Sequence, residues 1–107
     1  MTESEYLQAA EALFRTLEQD LEAADLDYEL APGGILEIEF DNGSKIIVNR
    51  QTPMREIWVA AKSGGFHYRW LDGAWRDTRG GDELYEALSA MASSQSGRPI
   101  MLAGAAS

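Results

Sequence analysis

Between Asn42 and Trp70 the chain falls into three alternating runs parted by short turns, a pattern that an antiparallel meander satisfies. Asp41-Asn42-Gly43 supplies the first turn. Asn-Gly favours a type I′ hairpin, in which both central residues need positive φ, so Ser44–Arg50 is expected to pair antiparallel with Ile35–Phe40. Along Ile35–Phe40, Leu36, Ile38 and Phe40 face a core, while Ile35, Glu37 and Glu39 face water. Pro53 limits the second strand. In the third, Arg55–Ala61, the side chains of Ile57, Val59 and Ala61 point one way and those of Glu56, Trp58 and Ala60 the other. Ser63-Gly64-Gly65 turns into Phe66–Leu71, and Asp72-Gly73 turns into Trp75–Thr78, which makes five strands in series.

Helical periodicity flanks the meander on both sides. From Thr2 to about Ala24, Tyr6, Ala10, Leu13, Leu17 and Leu21 recur at spacings of three and four, the stripe of an amphipathic helix. Thr2 and Glu5 fit a capping box, with Ser4 as a competing cap. Gly80-Gly81 ends the sheet, Asp82 caps a second helix with a Leu84, Leu88, Met91 stripe, and Gly97 stops it. Ile100–Leu102 is a candidate short edge strand, and Gly104–Ser107 is expected to fray. The fold class is therefore α+β: a two-layer sandwich with N- and C-terminal helices on one face of an antiparallel five- to six-stranded sheet, as one domain over 1–107. The second sheet face is left open.

Composition narrows the chemistry. With no cysteine, disulfides, thiolate metal sites, cysteine nucleophiles and thiolate-held clusters are excluded. The formal net charge of −9 disfavours nucleic acid, whose phosphates would be repelled. No apolar run approaches the roughly 18–20 residues of a membrane span, so a soluble, cytoplasmic protein is expected.

Two surface features stand out. At about 100° per residue, Glu11, Glu18, Glu22 and Asp25 fall in one sector of roughly 60° beside the apolar stripe. Asp27, Glu29, Glu37, Glu39 and Asp41 carry the charge onward, forming an acidic ridge interrupted in its helical part by Arg15. Carboxylates are hard ligands for iron, manganese, magnesium or calcium, and side chains at i and i+4, such as Glu18 and Glu22, can share a cation. Such sites would be shallow, weak and completed by water. A merely solvated acidic face is the competing reading. The second feature is Trp58, placed by alternation on the open face, where uncovered aromatic area forgoes roughly 25 cal/mol per Å². It reads as a docking anchor, or as an aromatic covered by Arg55 or Arg69 through a cation–π contact. Asn49 and Gln51 read equally as turn formers before Pro53. His67 lies on the same open face with no carboxylate nearby in sequence, and Trp70 and Trp75 read as core.

The run Asn49-Arg50-Gln51-Thr52-Pro53, then Ile57-Trp58, Gly65, Tyr68 and Trp75, resembles the signature of the frataxin family in its bacterial branch, and the likeness extends from about Ser4 to Leu102. That resemblance implies the frataxin fold, binding of Fe2+ and Fe3+ on the acidic ridge, and a part in iron-sulfur cluster assembly alongside a cysteine desulfurase and a scaffold protein. Carried over by position, the metal-binding residues are Glu18, Glu22, Asp25, Asp27, Glu29 and Asp41, with Glu11 on the same sector, and the partner-docking residues are Asn49, Gln51 and Trp58. The implied protein is not an enzyme: it holds iron weakly and keeps no cluster itself, and is a monomer without metal, with an iron-driven oligomer as a further expectation. A ferroxidase or iron-storage role is the alternative, though the inward-facing Glu-x-x-His pairs of di-iron proteins are absent.

Overall fold

The computed structural model describes residues 1–102. Helix α1 runs Glu3–Ala23, and Thr2 starts it with the capping box: its side chain accepts from the Glu5 amide at 3.1 Å and its own amide donates to Glu5 at 2.8 Å. Six strands follow: β1 (Asp27–Ala31), β2 (Ile35–Glu39), β3 (Lys45–Gln51), β4 (Glu56–Ala61), β5 (Gly64–Leu71) and β6 (Ala74–Asp77). They pair antiparallel in sequence order, and helix α2 (Leu84–Ser96) is the last regular element, followed by a described segment through residue 102.

The core lies between the helices and one sheet face. Tyr6, Leu17 and Leu21 of α1 are fully buried against Leu36, Ile38, Ile46, Val48 and Ile57, with Leu84 and Leu88 from α2. Each such side chain contributes roughly 1.5–3 kcal/mol through burial. Trp75 is buried beneath Tyr6, and Trp70 lies half-buried edge-on to Trp75 at 5.3 Å. Among the described residues no helix is long and apolar enough to cross a membrane.

Several local expectations are revised. The sequence predicts five strands and treats Asp27–Ala31 as connection, but that segment is the edge strand β1, paired Tyr28 to Ile38 and Leu30 to Leu36. Its signal is the alternation Asp27-Tyr28-Glu29-Leu30 ahead of a Pro32-Gly33-Gly34 turn. Ile100 and Leu102 are buried but form no strand: their amides donate to Ser93 Oγ at 2.8 Å and Ser89 Oγ at 2.9 Å, so α2 satisfies them in place of a sheet. The β2–β3 turn is not type I′. Only Gly43 has positive φ, and the Gly43 amide donates to the Phe40 carbonyl at 2.9 Å, as in a type I turn completed by a left-handed glycine. Both Asp72 and Gly73 do have positive φ, giving the two-residue turn between β5 and β6. Glu83 rather than Asp82 caps α2, and Ala92 and Gln95 extend its buried face, with Met91 half-buried beside it. The predicted fraying of Gly104–Ser107 lies outside the described residues.

Candidate functional site

Glu18 and Glu22, one helical turn apart on α1, both accept from the Tyr28 hydroxyl of β1, at 3.3 Å and 2.7 Å. The pairing follows from the fold, because Tyr28 sits on the helix-facing side of the edge strand. The hydrogen bond to Glu22 is the main reason the Tyr28 phenol is pushed up to about 12, with desolvation and the two negative charges adding to it.

Asp25 does not continue the helical sector that the sequence predicts. It lies beyond the C-terminus of α1 in the left-handed region, φ 57°, where its amide donates to the Glu22 carbonyl at 3.1 Å and the next amide, Leu26, reaches back to Leu21 at 2.9 Å. This bend delivers Asp25 to a cavity of about 180 Å³ whose walls also include Asp27, Glu39 and Asp41. Arg98 shares that wall and donates to the Ala24 carbonyl at 2.9 Å, satisfying one of the orphan acceptors at the helix end. Glu29 stands directly across from Glu37 in the β1–β2 pair, and Glu37 is matched by Lys45 at 3.3 Å. Glu11 is separate, bonded to Arg15 at 3.0 Å on the exposed helix surface. The single predicted ridge is thus two carboxylate groups flanking β1, with Glu11 an outlier. Among the described residues no group of three or more His, Asp or Glu is arranged to hold a metal ion.

The open sheet face carries the second candidate surface. Strand register places Asn49, Trp58 and His67 in one row and Gln51, Glu56, Arg69 and Arg76 in the next. A shallow cavity of about 210 Å³ is bounded by Ile47, Asn49, Trp58, Ala60, Gly65 and His67. Gln51 ends β3 ahead of a short 3₁₀ turn, Thr52–Met54, and makes no side-chain capping bond there.

Trp58 is half-buried, and its cover differs from both residues the sequence offers. Arg55 occupies a left-handed turn position before β4. Arg69 binds Glu56 at 2.5 Å instead of the indole. The His67 imidazole stacks on Trp58 with ring centroids 4.2 Å apart and planes 8° from parallel, and Trp58 Nε1 donates to Glu56 Oε1 at 2.9 Å. Glu56, predicted to be wet, is only 3% exposed, under a single layer of these side chains. Desolvation pushes its carboxyl pKa up, but the hydrogen bonds from Trp58 and Arg69 and the charges of Arg69 and His67 together outweigh that and hold it below the ordinary glutamate value. Sequence reasoning missed the roles of Glu56 and of Arg69, the latter offered only as a cation–π cover for Trp58, and that of Tyr28. Cross-strand register was the available signal for the first two, since opposite charges directly paired across a hairpin attract.

These features define a two-layer α+β domain whose distinctive chemistry lies at one sheet edge and on one sheet face. Comparison with known proteins gives that class a family. The sequence pattern of the frataxin-like domain matches residues 1–98, and the chain belongs to the frataxin family. It is 55% identical over 104 residues to the iron-sulfur cluster assembly protein CyaY of Paraburkholderia phymatum, covering 96% of this chain and 99% of that protein. Identity to the CyaY protein of Burkholderia mallei is 53%, covering 94% of this chain and 96% of that one. Among solved structures, the frataxin of Psychromonas ingrahamii superposes with a TM-score of 0.86 at 36% identity, over 95% of this chain and 98% of that one. Trimeric yeast frataxin complexed with ferrous iron gives a TM-score of 0.64 at 28% identity, over 90% of this chain and 86% of the other.

Proposed function

We propose that this chain is a cytoplasmic, non-enzymatic iron-binding adaptor that regulates iron-sulfur cluster assembly. The acidic edge binds iron or a basic patch on a cysteine desulfurase, and the open face around Asn49, Gln51 and Trp58 engages the desulfurase–scaffold complex. The observation that carries the reading is the gathering of Glu18, Glu22, Asp25, Asp27 and Asp41 on both sides of β1. Carboxylates crowded within a Debye length of about 8–10 Å favour a bound cation or a basic surface. The donor set fits iron as hard oxygen ligands, with Glu18 and Glu22 presenting oxygens to one point already occupied by the Tyr28 hydroxyl. An ion there competes with that hydroxyl and takes its remaining ligands from water, which makes iron a weakly held passenger.

The test is to add the protein to purified desulfurase and scaffold under limiting iron and follow cluster formation. A changed rate, reduced when Glu18, Glu22 and Asp25 are neutralised together, supports the reading. Oxygen consumption by the protein with iron(II) alone would replace it with a ferroxidase or storage role, and no effect on either would leave a generic acidic interaction domain.

A further inference from the structure

Glu56 is the only buried carboxylate among the described residues, and the docking role proposed above makes no use of it. Burying a carboxylate is costly unless its oxygens are engaged. Here both are: Oε1 accepts from the Trp58 indole at 2.9 Å and Oε2 from Arg69 at 2.5 Å, while His67 Nδ1 lies 3.8 Å from Oε1. The contacts on Trp58 are complementary. The hydrogen bond acts in the plane of the indole and fixes its rotation, whereas the His67 stack acts on the ring face and fixes its tilt. Strand β4 supplies Glu56 and Trp58, β5 supplies Arg69 and His67, and the register sets all four on the open face. The side chain with the largest aromatic area on that face is therefore held in one orientation before any partner arrives.

We infer that Glu56 is a positioning residue for Trp58, preorganising the indole as a docking anchor, with Arg69 and His67 completing the lock. The inference rests on the docking role of Trp58 proposed above. A side chain already fixed loses little freedom on binding, so releasing it weakens association without removing a contact.

The experiment measures binding of the full chain to the purified desulfurase–scaffold complex, together with the Trp58 indole N–H resonance, identified by its loss in Trp58→Phe. In Glu56→Ala the resonance is expected to lose its hydrogen-bonded shift and its protection from exchange, with binding weakened about 3- to 10-fold. Glu56→Gln keeps one acceptor for the indole, so binding is expected to stay within about two-fold of wild type, which separates positioning from charge. In a Trp58→Ala background, Glu56→Ala should add nothing, whereas a general structural role would add its full effect. An ordered Trp58 resonance in Glu56→Ala overturns the inference, as does unchanged binding by that variant when Trp58→Ala binds poorly. Full binding by Trp58→Ala itself removes the docking role, and with it any part for Glu56 in association.

Discussion

Replacing Arg69 by alanine should destabilise the domain in a way that depends on pH. Breaking a buried ion pair by removing one partner costs about 3–5 kcal/mol, because the remaining charge is left uncompensated. Solvent reduces that here: the Arg69 side chain is 53% exposed, and the Trp58 indole still donates to the stranded carboxylate. A loss of about 1–2 kcal/mol at pH 7 is expected, a fall in Tm of about 5–10 °C for a domain of this size. The pH dependence identifies the cause. In the wild type the Glu56 pKa is lowered by folding, so its contribution is complete above the unfolded glutamate value of about 4.3 and is lost as pH falls through the folded value. Without Arg69, desolvation meets less opposition, and the penalty present at neutral pH is relieved when the carboxyl protonates. Urea unfolding across pH 3.5–7.5 should therefore show the gap between wild type and Arg69→Ala widest near neutrality and narrowing with acidification. Glu56→Gln combined with Arg69→Ala should recover part of the loss at pH 7. A gap of constant size over that range, or no recovery in the double variant, would refute the argument.

Two further outcomes follow from other parts of the molecule. Tyr28 and Tyr85 are each raised to about 12, Tyr28 mainly by its hydrogen bond to Glu22 and Tyr85 mainly by burial. Burial raises Tyr6 and Tyr68 as well, so in ultraviolet titration Tyr28→Phe should remove one of several late phenol ionisations. It should also flatten the loss of stability above about pH 10, since a phenol whose folded pKa is raised stabilises only while the unfolded form keeps its proton. Gln95 is 6% exposed and ties α2 to the sheet, donating to Ser44 Oγ at 3.1 Å and the Lys45 carbonyl at 3.2 Å and accepting from the Lys62 amide at 2.9 Å. Gln95→Ala strands these groups and should cost about 2–3 kcal/mol in denaturant melts; a loss under about 0.5 kcal/mol would mean that water replaces the tether.

What the sequence made legible was whatever depends on near neighbours. The Thr2–Glu5 capping box, the α1 stripe and the Asp72-Gly73 turn are encoded within a few residues and appear in place. Long-range geometry was harder to read. The helical wheel puts Asp25 in line with Glu18 and Glu22, but a wheel presumes that the helix continues, and the left-handed bend at Asp25 turns the side chain toward Asp41 instead. Alternation assigns Glu56 to the wet face because it registers direction only. Burial on an open face comes from neighbours on other strands, and Arg69 lies 13 residues away. His67 appears isolated in the linear sequence for the same reason, although register brings it against both Trp58 and Glu56.

The charges of the open face are unevenly spread across its strands, with Trp58 between the acidic and basic ends. Asp27, Glu29, Glu37 and Glu39 project from β1 and β2, while Ile47, Asn49, Trp58 and Ala60 occupy the centre. Arg69 and Arg76 stand directly opposite each other on β5 and β6. Like charges so placed repel, and Glu56 on the far side of Arg69 offsets only part of that repulsion. On the docking role proposed above, a partner seated on Trp58 meets carboxylates toward β1 and arginines toward β6. Reversing it on the face would set like charges together at both ends, a larger cost than any single rim charge brings. In that role Trp58 would supply contact area but, as one aromatic ring, little choice of direction, and the charge arrangement would favour one docking orientation. Glu56 would bear on both, because the carboxylate that accepts from the indole also pairs with Arg69 at the basic end.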